Sequence, residues 1–473
     1  MKSVSVKKAD GIFDSRRDVL KAITGAFVSA APSFAQSNAR RRVGIVGGGM
    51  AGVSLAWLLD GQRDVVLLEA RPSLGGNVQT VPIEVGGQSV AVDMGAQYFH
   101  PNLYKLYVRL LTKLGLYPPA VQESHAFPAS ISLYDDSEAF PRFVSPVLWD
   151  KLWPVFAPWN WEGLGAFGAG FSASKTQEDE GGDWNLTLEA WLQTLNLQRK
   201  QWEGMLLPWA ASLFTGKTDH ARVMSARAAM IFAATSVPAS PLDTVVSYVL
   251  NRGLAEPLRR MVKQFETVEI LTGAEVKQIT RTPQGQFLIV CGDGRRTLVD
   301  DLVLASSGPS SLRLLEGLPD SRAQQNALGG IEFEDTRIAV HTDPIYAPKD
   351  PNHWSFLNCQ IHRGYCEASM WLNKVLTTPP LQTDVKLWKS WVTHRDRQPA
   401  KVLHESTFRH MVPTVASIRA QVRLRELQGR YGVWIAGGYT FPYDCQETAL
   451  VSALNIAAGL RITSPRILSL SAG

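Results

Sequence analysis

The stretch from Val43 to Asn77, VGIVGGGMAGVSLAWLLDGQRDVVLLEARPSLGGN, joins a strand pattern, a glycine-rich turn and a helix pattern in one unit. Its first four residues, Val43 to Val46, form a short apolar run that is typical of a buried parallel strand. The run is followed by three glycines in G-x-G-x-x-G spacing, Gly47, Gly49 and Gly52. A helical pattern and a second apolar run come next, and this second run ends at Glu69. The order of these parts predicts a β-α-β unit.

Each part of this unit has a physical role in binding an adenine dinucleotide. Gly47 permits the tight turn out of the strand, Gly49 lets the backbone approach a pyrophosphate, and Gly52 lets the helix pack close to the sheet. The N-terminus of the helix offers free N–H groups and a positive dipole end to the phosphates. Glu69 follows Gly47 by twenty-two residues, where an acidic side chain binds ribose hydroxyls. The unit alone leaves the choice between NAD and FAD open.

The residues after Glu69 decide that choice through a resemblance. Ala70-Arg71 and then Leu74-Gly75-Gly76-Asn77 make the chain resemble the flavin-containing amine oxidase superfamily, which includes monoamine and polyamine oxidases and phytoene-type desaturases. That superfamily carries an acid, an arginine and a G-G-R sequence at this place. Asn77 replaces the last arginine, so a guanidinium contact with the phosphates is lost there. The resemblance implies FAD as the cofactor.

The resemblance extends along the chain and implies further FAD contacts. Asp93 to Phe99 resembles the segment that passes close to the flavin ring, and Val276 stands where the family contacts adenine through its main chain. Gly432 to Leu460 resembles the final strand and helix, whose N-terminus points at flavin N1 and C2=O, and Gly438 replaces an acid there. Tyr439 and Tyr443 stand where relatives bring an aromatic ring to the flavin. The residues expected to bind FAD are Gly47, Gly49, Met50, Ala51, Gly52, Glu69, Ala70, Arg71, Gly75, Gly76, Asn77, Gly95, Ala96, Gln97, Tyr98, Val276, Gly437, Gly438, Glu447, Thr448 and Ala449.

The expected fold is α/β, with a discontinuous Rossmann-like FAD-binding domain and an inserted α+β substrate-binding domain. The FAD-binding domain is predicted to comprise residues 40–101, 245–318 and 426–465, and the substrate-binding domain residues 102–244 and 319–425. The substrate domain contains a segment rich in aromatic residues, from about Ser124 to Ala239. Large aromatic side chains usually serve packing. Here they are also compatible with the lining of a deep apolar cavity or with contact to a membrane surface.

The first 35 residues are predicted to form a twin-arginine signal peptide. Ser15 to Lys21 (SRRDVLK) fits the twin-arginine pattern, and a weakly apolar run and the small-residue site Ser33 to Ala35 follow it. We therefore expect the twin-arginine translocation machinery as a partner and a periplasmic or secreted location. That route moves folded proteins, so the cofactor can be inserted before export. No run is long enough for a stable membrane span, which needs about twenty apolar residues.

Charge and cysteine content restrict the remaining classes. The formal net charge is +5, and the signal segment has six basic and three acidic side chains, which leaves the mature chain near +2. This balance gives no case for a nucleic-acid partner. No cysteine or histidine spacing indicates a metal site. Two of the four cysteines, Cys359 and Cys366, are close enough to bridge a hairpin, and the sequence leaves both the bridged and the free state open.

The expected reaction is hydride transfer from a C–N or C–C bond of a small-molecule or lipid substrate to flavin N5. Many amine oxidases place a lysine on the strand that corresponds to Thr336 to Pro344, where the equivalent position is Thr342 or a neighbour and no lysine is present. The absence of that lysine counts against simple amine oxidation. The H-T-D-P sequence beginning at His341 resembles a branch associated with unsaturated or cyclopropane fatty acyl metabolism.

Three functions therefore remain as alternatives. The chain is an amine oxidase, a lipid, fatty acyl or isoprenoid desaturase or isomerase, or a non-catalytic flavin-binding protein. His341 is a candidate active-site base, and a hydrogen-bonded strand histidine is the competing interpretation. Tyr443 is a second candidate for a catalytic role. The sequence assigns neither of them a catalytic role.

Overall fold

The computed structural model describes residues 41–147, 150–236, 246–376, 381 and 383–471. The predicted signal peptide lies outside these residues, as do Trp149 and the predicted domain boundary at residues 244 and 245. Among the described residues, no helix is both long and apolar enough to cross a bilayer.

Strands and helices alternate in the first part of the chain and again at its end. The strands are β1 (Arg42–Val46), β2 (Asp64–Leu68), β3 (Thr80–Val85), β4 (Gln88–Asp93), β5 (Ser124–Pro128), β6 (Ile131–Asp135), β7 (Phe143–Val144), β8 (Val246–Leu250), β9 (Glu269–Leu271), β10 (Val276–Arg281), β11 (Phe287–Cys291), β12 (Arg296–Val299), β13 (Asp301–Leu304), β14 (Glu332–His341), β15 (Leu357–His362), β16 (Tyr365–Trp371), β17 (Trp388–Trp391), β18 (Val402–Val412) and β19 (Val433–Ile435).

The α-helices pack on both sheets and between them. They are α1 (Met50–Leu59), α2 (Lys105–Lys113), α3 (Trp161–Asp179), α4 (Leu188–Thr194), α5 (Arg199–Gln201), α6 (Leu207–Ser212), α7 (Thr218–Val223), α8 (Ala226–Ala229), α9 (Ile231–Ser236), α10 (Glu256–Val262), α11 (Gly308–Leu315), α12 (Arg322–Gly329), α13 (Val415–Glu426), α14 (Gln446–Gly459) and α15 (Pro465–Ser471). A π-helical segment, Trp202–Leu206, joins α5 to α6.

A five-stranded parallel sheet in the order β19-β13-β1-β2-β9 forms the centre of the first unit. Residues Val43 to Val46 of β1 are buried, because both faces of a parallel sheet are covered. The sheet takes its strands from three separated parts of the chain, residues 42–68, 269–304 and 433–435. The mixed α/β architecture and this parallel sheet agree with the fold class expected from the sequence.

Helix α1 is buried on all sides, although its sequence places Leu55, Leu58 and Leu59 on one side of a helix and so predicts a single apolar face. All ten residues from Met50 to Leu59 are buried. The reason is tertiary, since α1 packs against the parallel sheet, α10 and α14 together. After Asn77, the alternating sequence from Val78 to Val92 predicts a hairpin, and the structure confirms it as β3 and β4, which pair antiparallel across Gly86 and Gly87.

The second unit contains a seven-stranded mixed sheet in the order β18-β14-β17-β16-β15-β6-β7, in which only β15 and β6 run parallel. Helix α6 packs on β15 and β16. Helix α2, in a segment assigned to the substrate domain from the sequence, instead packs against α14 of the first unit. Its buried residues Tyr107, Leu110 and Leu111 share one core with α1.

The aromatic-rich segment has two environments. Phe167, Trp184 and Trp191 are buried, as the packing interpretation expects. Phe156 and Trp161 are exposed by 76% and 59%. The segment therefore contributes partly to the core and partly to the surface.

The cysteine pair is not bridged in the structure. Cys359 on β15 and Cys366 on β16 are both buried and free. The register places Cys359 opposite Ala368 and Cys366 opposite Ile361, so the two thiols do not face each other across the strands. The Cys359 sulfur instead contacts Ser212 Oγ at 3.3 Å.

The close contact between α1 and the first turn leads to a test of the fold. A Cβ atom at Gly52 would lie 1.9 Å from the carbonyl oxygen of Gly47, which is closer than any tolerated contact. We expect Gly52→Ala to destabilise the protein by about 1–3 kcal/mol or more in urea unfolding. Gly168→Ala is the control, because a Cβ at this helical glycine meets nothing within 4 Å and should stabilise α3 by about 0.5–1 kcal/mol. Equal unfolding free energies for the two variants would contradict the proposed close packing.

Candidate cofactor and substrate site

A cavity of about 810 Å³ runs between the parallel sheet and the seven-stranded sheet. One end is lined by Glu69, Arg71, Glu275 and Lys277, and its middle by residues after β1. The other end reaches the N-terminus of α14 and one face of the seven-stranded sheet. A ligand in this cavity therefore contacts the carboxyl ends of the parallel strands, where ligands bind in open α/β sheets.

The glycine turn after β1 presents bare backbone to the cavity. Gly47 has φ +119°, a conformation that favours glycine, and a Cβ there would lie 2.5 Å from the backbone of Ala305. Gly49 and Met50, at the start of α1, line the cavity. The free N–H groups and positive dipole end of a buried ten-residue helix therefore face the ligand.

Glu69 links the end of β2 to this turn. Its Oε2 accepts a hydrogen bond from Gly48 N at 2.7 Å, and its Oε1 accepts one from Arg71 N at 2.8 Å. The carboxylate lines the cavity and is nearly buried. Each oxygen keeps a second lone pair, so Glu69 can hold the turn and accept ligand hydroxyls at the same time.

The Gly75-Gly76-Asn77 segment lies directly beside the glycine turn. Gly75 N donates to the carbonyl of Gly48 at 2.9 Å, and a Cβ at Gly76 would lie 2.9 Å from the Cα of Gly49. The Arg71 guanidinium donates to the carbonyl of Gly76 at 3.2 Å. This arrangement gives Arg71 a role in the shape of the segment.

The Gly95 to Tyr98 segment forms another wall of the cavity. A Cβ at Gly95 would lie 2.1 Å from the carbonyl oxygen of Asn77, so only glycine fits. Gln97 Oε1 is buried without a hydrogen-bond partner among the described residues. An unpartnered buried amide oxygen in a cavity wall is suited to accept a hydrogen bond from a ligand.

A buried lysine supports this wall from behind. Lys389 on β17 has no exposed surface, and its Nζ donates to the carbonyl oxygens of Asp93 at 2.7 Å and Gly95 at 3.1 Å. Burial lowers the pKa of Lys389 to about 7, against the opposing attraction of the Asp93 carboxylate. No sequence pattern indicates this contact, because 294 residues separate Lys389 from Gly95.

The strand and helix at the end of the chain close the cavity. Gly437 has φ +151°, and Gly437, Gly438, Cys445, Gln446 and Ala449 line the cavity at the start of α14. The N-cap of α14 is Cys445, whose N–H donates to Thr448 Oγ1 at 3.1 Å. Asp444 and Glu447 have the sequence spacing of a capping box, but Cys445 and Thr448 form it in the structure.

Glu447 and Thr448 do not line the cavity. Glu447 is nearly buried, and its two oxygens accept hydrogen bonds from the N–H groups of Leu106 and Tyr107 at the start of α2. Thr448 Oγ1 donates to the carbonyl of Tyr443 at 2.9 Å. Both side chains fix the position of the α14 N-terminus. Tyr443 is half-buried and outside the cavity lining, whereas Tyr439 lines it edge-to-face against Phe333.

His341 lies on the opposite face of the seven-stranded sheet. The register pairs Ile338 with the cavity-lining Trp391, and His341, three residues along the strand, points the other way. Its Nε2 is 2.8 Å from Ser390 Oγ, and burial lowers its pKa to about 4. The side chain is thus a neutral, hydrogen-bonded strand histidine. Thr342 is also outside the cavity lining, and its N–H donates to the carbonyl of Lys401.

A different histidine lines the cavity. His410 on β18 belongs to the lining, and its Nε2 is buried without a hydrogen-bond partner among the described residues. Burial lowers the pKa of His410 to about 4, so the imidazole is neutral at physiological pH. Only the register of β18 on β14 brings it there, which is why the sequence did not identify it.

The structure thus brings together most of the predicted cofactor residues. The cavity is lined by Gly47, Gly49, Met50, Ala51, Glu69, Ala70, Arg71, Gly76, Asn77, Gly95, Ala96, Gln97, Tyr98, Val276, Gly437, Gly438 and Ala449. Gly52 and Gly75 instead shape the backbone next to it. The predicted set omits further lining residues with polar side chains, among them Arg313, Arg409, His410, Asp444 and Gln446.

The parallel sheet, the glycine turn and the long cavity define the class of dinucleotide-binding oxidoreductases. Residues 50–344 match the family described as flavin containing amine oxidoreductase, and the chain belongs to this family. It is an FAD-dependent oxidoreductase. A search of curated protein sequences found no match.

Several solved structures share the fold at low sequence identity. A putative protoporphyrinogen oxidase from Exiguobacterium sp. 255-15 is 14% identical, with a TM-score of 0.59 over 90% of this chain and 100% of that one. A CLA-producing fatty acid isomerase from P. acnes is also 14% identical, with a TM-score of 0.59 over 90% of this chain and 100% of that one. Cyclohexylamine oxidase from Brevibacterium oxydans is 15% identical, with a TM-score of 0.58 over 89% of this chain and 100% of that one.

The residues of the cavity fit FAD. The α1 N-terminus suits the diphosphate, and the buried, unpartnered Gln97 Oε1 and Gln446 Nε2 supply an acceptor and a donor in the same cavity. The carbonyl of Gly47 and the backbone of Ala305 leave no room for side chains at the glycine turn. When bound, the flavin supplies the hydride-accepting chemistry.

Lys389 is the basis of a prediction about this site. Lys389→Met removes the donor from two carbonyls and leaves the buried Asp93 carboxylate without its cation, so we expect a loss of about 3–5 kcal/mol of stability. Urea unfolding measures this loss, and the flavin-to-protein absorbance ratio reports cofactor retention. Lys175→Met is the control, because the ion pair of Lys175 with Asp179 on α3 is exposed and contributes at most about 0.5 kcal/mol. Wild-type stability of Lys389→Met would refute the supporting role.

Proposed function

We propose that this FAD-dependent oxidoreductase transfers a hydride from a C–N or C–C bond of a largely apolar organic substrate to flavin N5. The observation that carries the proposal is the composition of the cavity end beneath the seven-stranded sheet, which we call the apolar chamber. Its lining consists of Ser212, Leu213, Phe214, Phe232, Leu357, Ala368, Met370, Trp391 and His410. Such a chamber binds hydrocarbon surface and excludes water from the reacting bond.

The carboxylates that line the cavity all lie on its cofactor-binding side. Its carboxylates, Glu69, Glu275, Glu316 and Asp444, all belong to the first unit, which binds the cofactor. The lining residues that the second unit contributes include no carboxylate, and their titratable side chains are His410, which is neutral, and Arg409, which is a cation. A cationic amine would therefore lose hydration in the chamber without gaining a counter-charge. This favours a neutral or acyl substrate and oxidation or isomerisation at a C–C bond.

The relatives are compatible with both bond types. Cyclohexylamine oxidase is named for an amine and the P. acnes isomerase for a fatty acid, so the fold itself accommodates either substrate class. Within the chamber, the residues of this chain would position the substrate by packing. His410 Nε2 would contribute a hydrogen bond to a polar group of the substrate.

The substrate class is tested by anaerobic reduction of the flavin. We expect unsaturated acyl lipids to bleach the flavin absorbance band, or to be isomerised without bleaching, and we expect primary and secondary amines to do neither. Absorbance spectroscopy follows the bleaching, and chromatography of the lipid products detects isomerisation. Dithionite reduction of the same sample is the control that shows a redox-active flavin. Bleaching by amines alone would contradict the assignment of a C–C bond.

We also propose that the protein is exported through the twin-arginine route to the periplasm or the cell exterior. The support is the sequence of residues 1–35, with Arg16 and Arg17 before an apolar run and a small-residue site. A reporter enzyme fused to residues 1–35 should appear in the periplasm of a bacterial host. Replacement of both arginines by lysine should retain it in the cytoplasm, because this route reads the arginine pair. Export of the lysine variant at the unmodified level would refute the proposal.

A further inference from the structure

Asp444 carries a carboxylate that opens onto the FAD cavity, between the end of β19 and the start of α14. The other acids near this helix and the glycine turn are satisfied by backbone donors, as Glu447 and Glu69 show. Asp444 has no hydrogen bond or ion pair with any described residue. The surrounding protein raises its pKa to about 6, even though the side chain is open to the cavity. Because the side chain is exposed to the cavity and no described residue bonds to it, its oxygens are available to accept hydrogen bonds from a ligand.

The position of Asp444 is fixed against the backbone of Gly438. A Cβ atom at Gly438 would lie only 2.1 Å from Asp444 Oδ1 and 3.0 Å from Thr448 Oγ1. The carboxylate of Asp444 therefore occupies the space where a side chain at position 438 would begin. Glycine at 438 is needed for this reason and not for its backbone angle, since its φ is not in the left-handed region.

The strand order shows which part of FAD reaches this carboxylate. Gly438 follows β19, which is separated from β1 and its glycine turn by the single strand β13. Strands in a sheet lie about 4.8 Å apart, so the two sites are about 10 Å from each other. The diphosphate binds at the glycine turn. In FAD the hydroxyl-bearing ribityl chain follows the diphosphate and spans a distance of this order toward the flavin ring.

We propose that Asp444 is a cofactor-binding residue whose carboxylate accepts hydrogen bonds from ribityl hydroxyl groups of FAD. The inference rests on the FAD site alone and is independent of the substrate class. A hydroxyl donates naturally to a carboxylate, and hydrogen bonds with a charged partner are the stronger kind. The negative charge also stands at the N-terminus of α14, where it offsets part of the positive dipole that favours the reduced flavin.

The first test is the affinity for FAD, measured by titration of the apoprotein and followed by flavin fluorescence. We expect Asp444→Ala to weaken binding by about 10- to 100-fold, the range for loss of hydrogen bonds to a charged group. Asp219→Asn is the control for the loss of one carboxylate, because the Asp219 side chain is 97% exposed and outside the cavity. Wild-type affinity of Asp444→Ala would overturn the proposal.

A relocation variant separates cofactor binding from packing. Gly438→Asp combined with Asp444→Ala moves the carboxylate to position 438, where the loss of the Asp444 side chain leaves space for it. We expect this double variant to recover most of the lost affinity. A folded double variant that binds no better than Asp444→Ala would overturn the proposal.

The isosteric variant Asp444→Asn tests the charge through the flavin midpoint potential, a quantity that a change in packing alone would leave unchanged. It keeps the shape and removes the charge beside the helix N-terminus, so we expect a more positive flavin midpoint potential and weaker FAD binding. If Asp444→Ala fails to fold, Asp444→Asn decides the question. A potential and an affinity equal to those of the wild type would overturn the proposal.

Discussion

The structure depends on the close approach of three backbone segments at the end of β1. Side-chain atoms at Gly47, Gly52 or Gly76 would collide with neighbouring backbone at 1.9–2.9 Å, so the turn, the start of α1 and the 75–77 segment pack as bare main chain. This packing exposes the N–H groups at the α1 N-terminus to the cavity. It also seats α1 between the sheet, α10 and α14, which explains why all ten of its residues are buried.

Local pattern sufficed for the parts of the fold in which neighbours in sequence are neighbours in space. The β1 to β2 unit and the β3–β4 hairpin follow from short apolar runs and glycines. Most predicted FAD residues line the cavity because glycine spacing itself defines their geometry. The surroundings of α1 did not follow from its pattern, since burial on every side is set by helices about 200 and 400 residues away.

The polar groups missed by the sequence arise from strand register. In a strand, adjacent side chains point to opposite faces, so His341 and Trp391 can be assigned to a face only when the pairing of β14 with β17 is known. The same pairing excludes His341 from the cavity, and the pairing with β18 brings His410 to it. Lys389 reaches Gly95 across 294 residues, and no spacing rule encodes such a contact. The lysine that the family resemblance places near the end of β14 is absent, whereas the adjacent strand β17 carries the buried Lys389. No local motif indicates this lysine.

The two ends of the cavity are coupled through α14. Glu447 accepts hydrogen bonds from the N–H groups of Leu106 and Tyr107 at the start of α2. Thr448 Oγ1 in the first turn of α14 accepts from Cys445 N and donates to the carbonyl of Tyr443. These contacts hold the helix N-terminus in one place, so its dipole acts on a bound flavin at a fixed distance. The seven-stranded sheet contributes the apolar chamber on the opposite side. Because a low-polarity chamber strengthens electrostatic effects on the flavin, the composition of one unit changes how strongly the helix of the other unit acts.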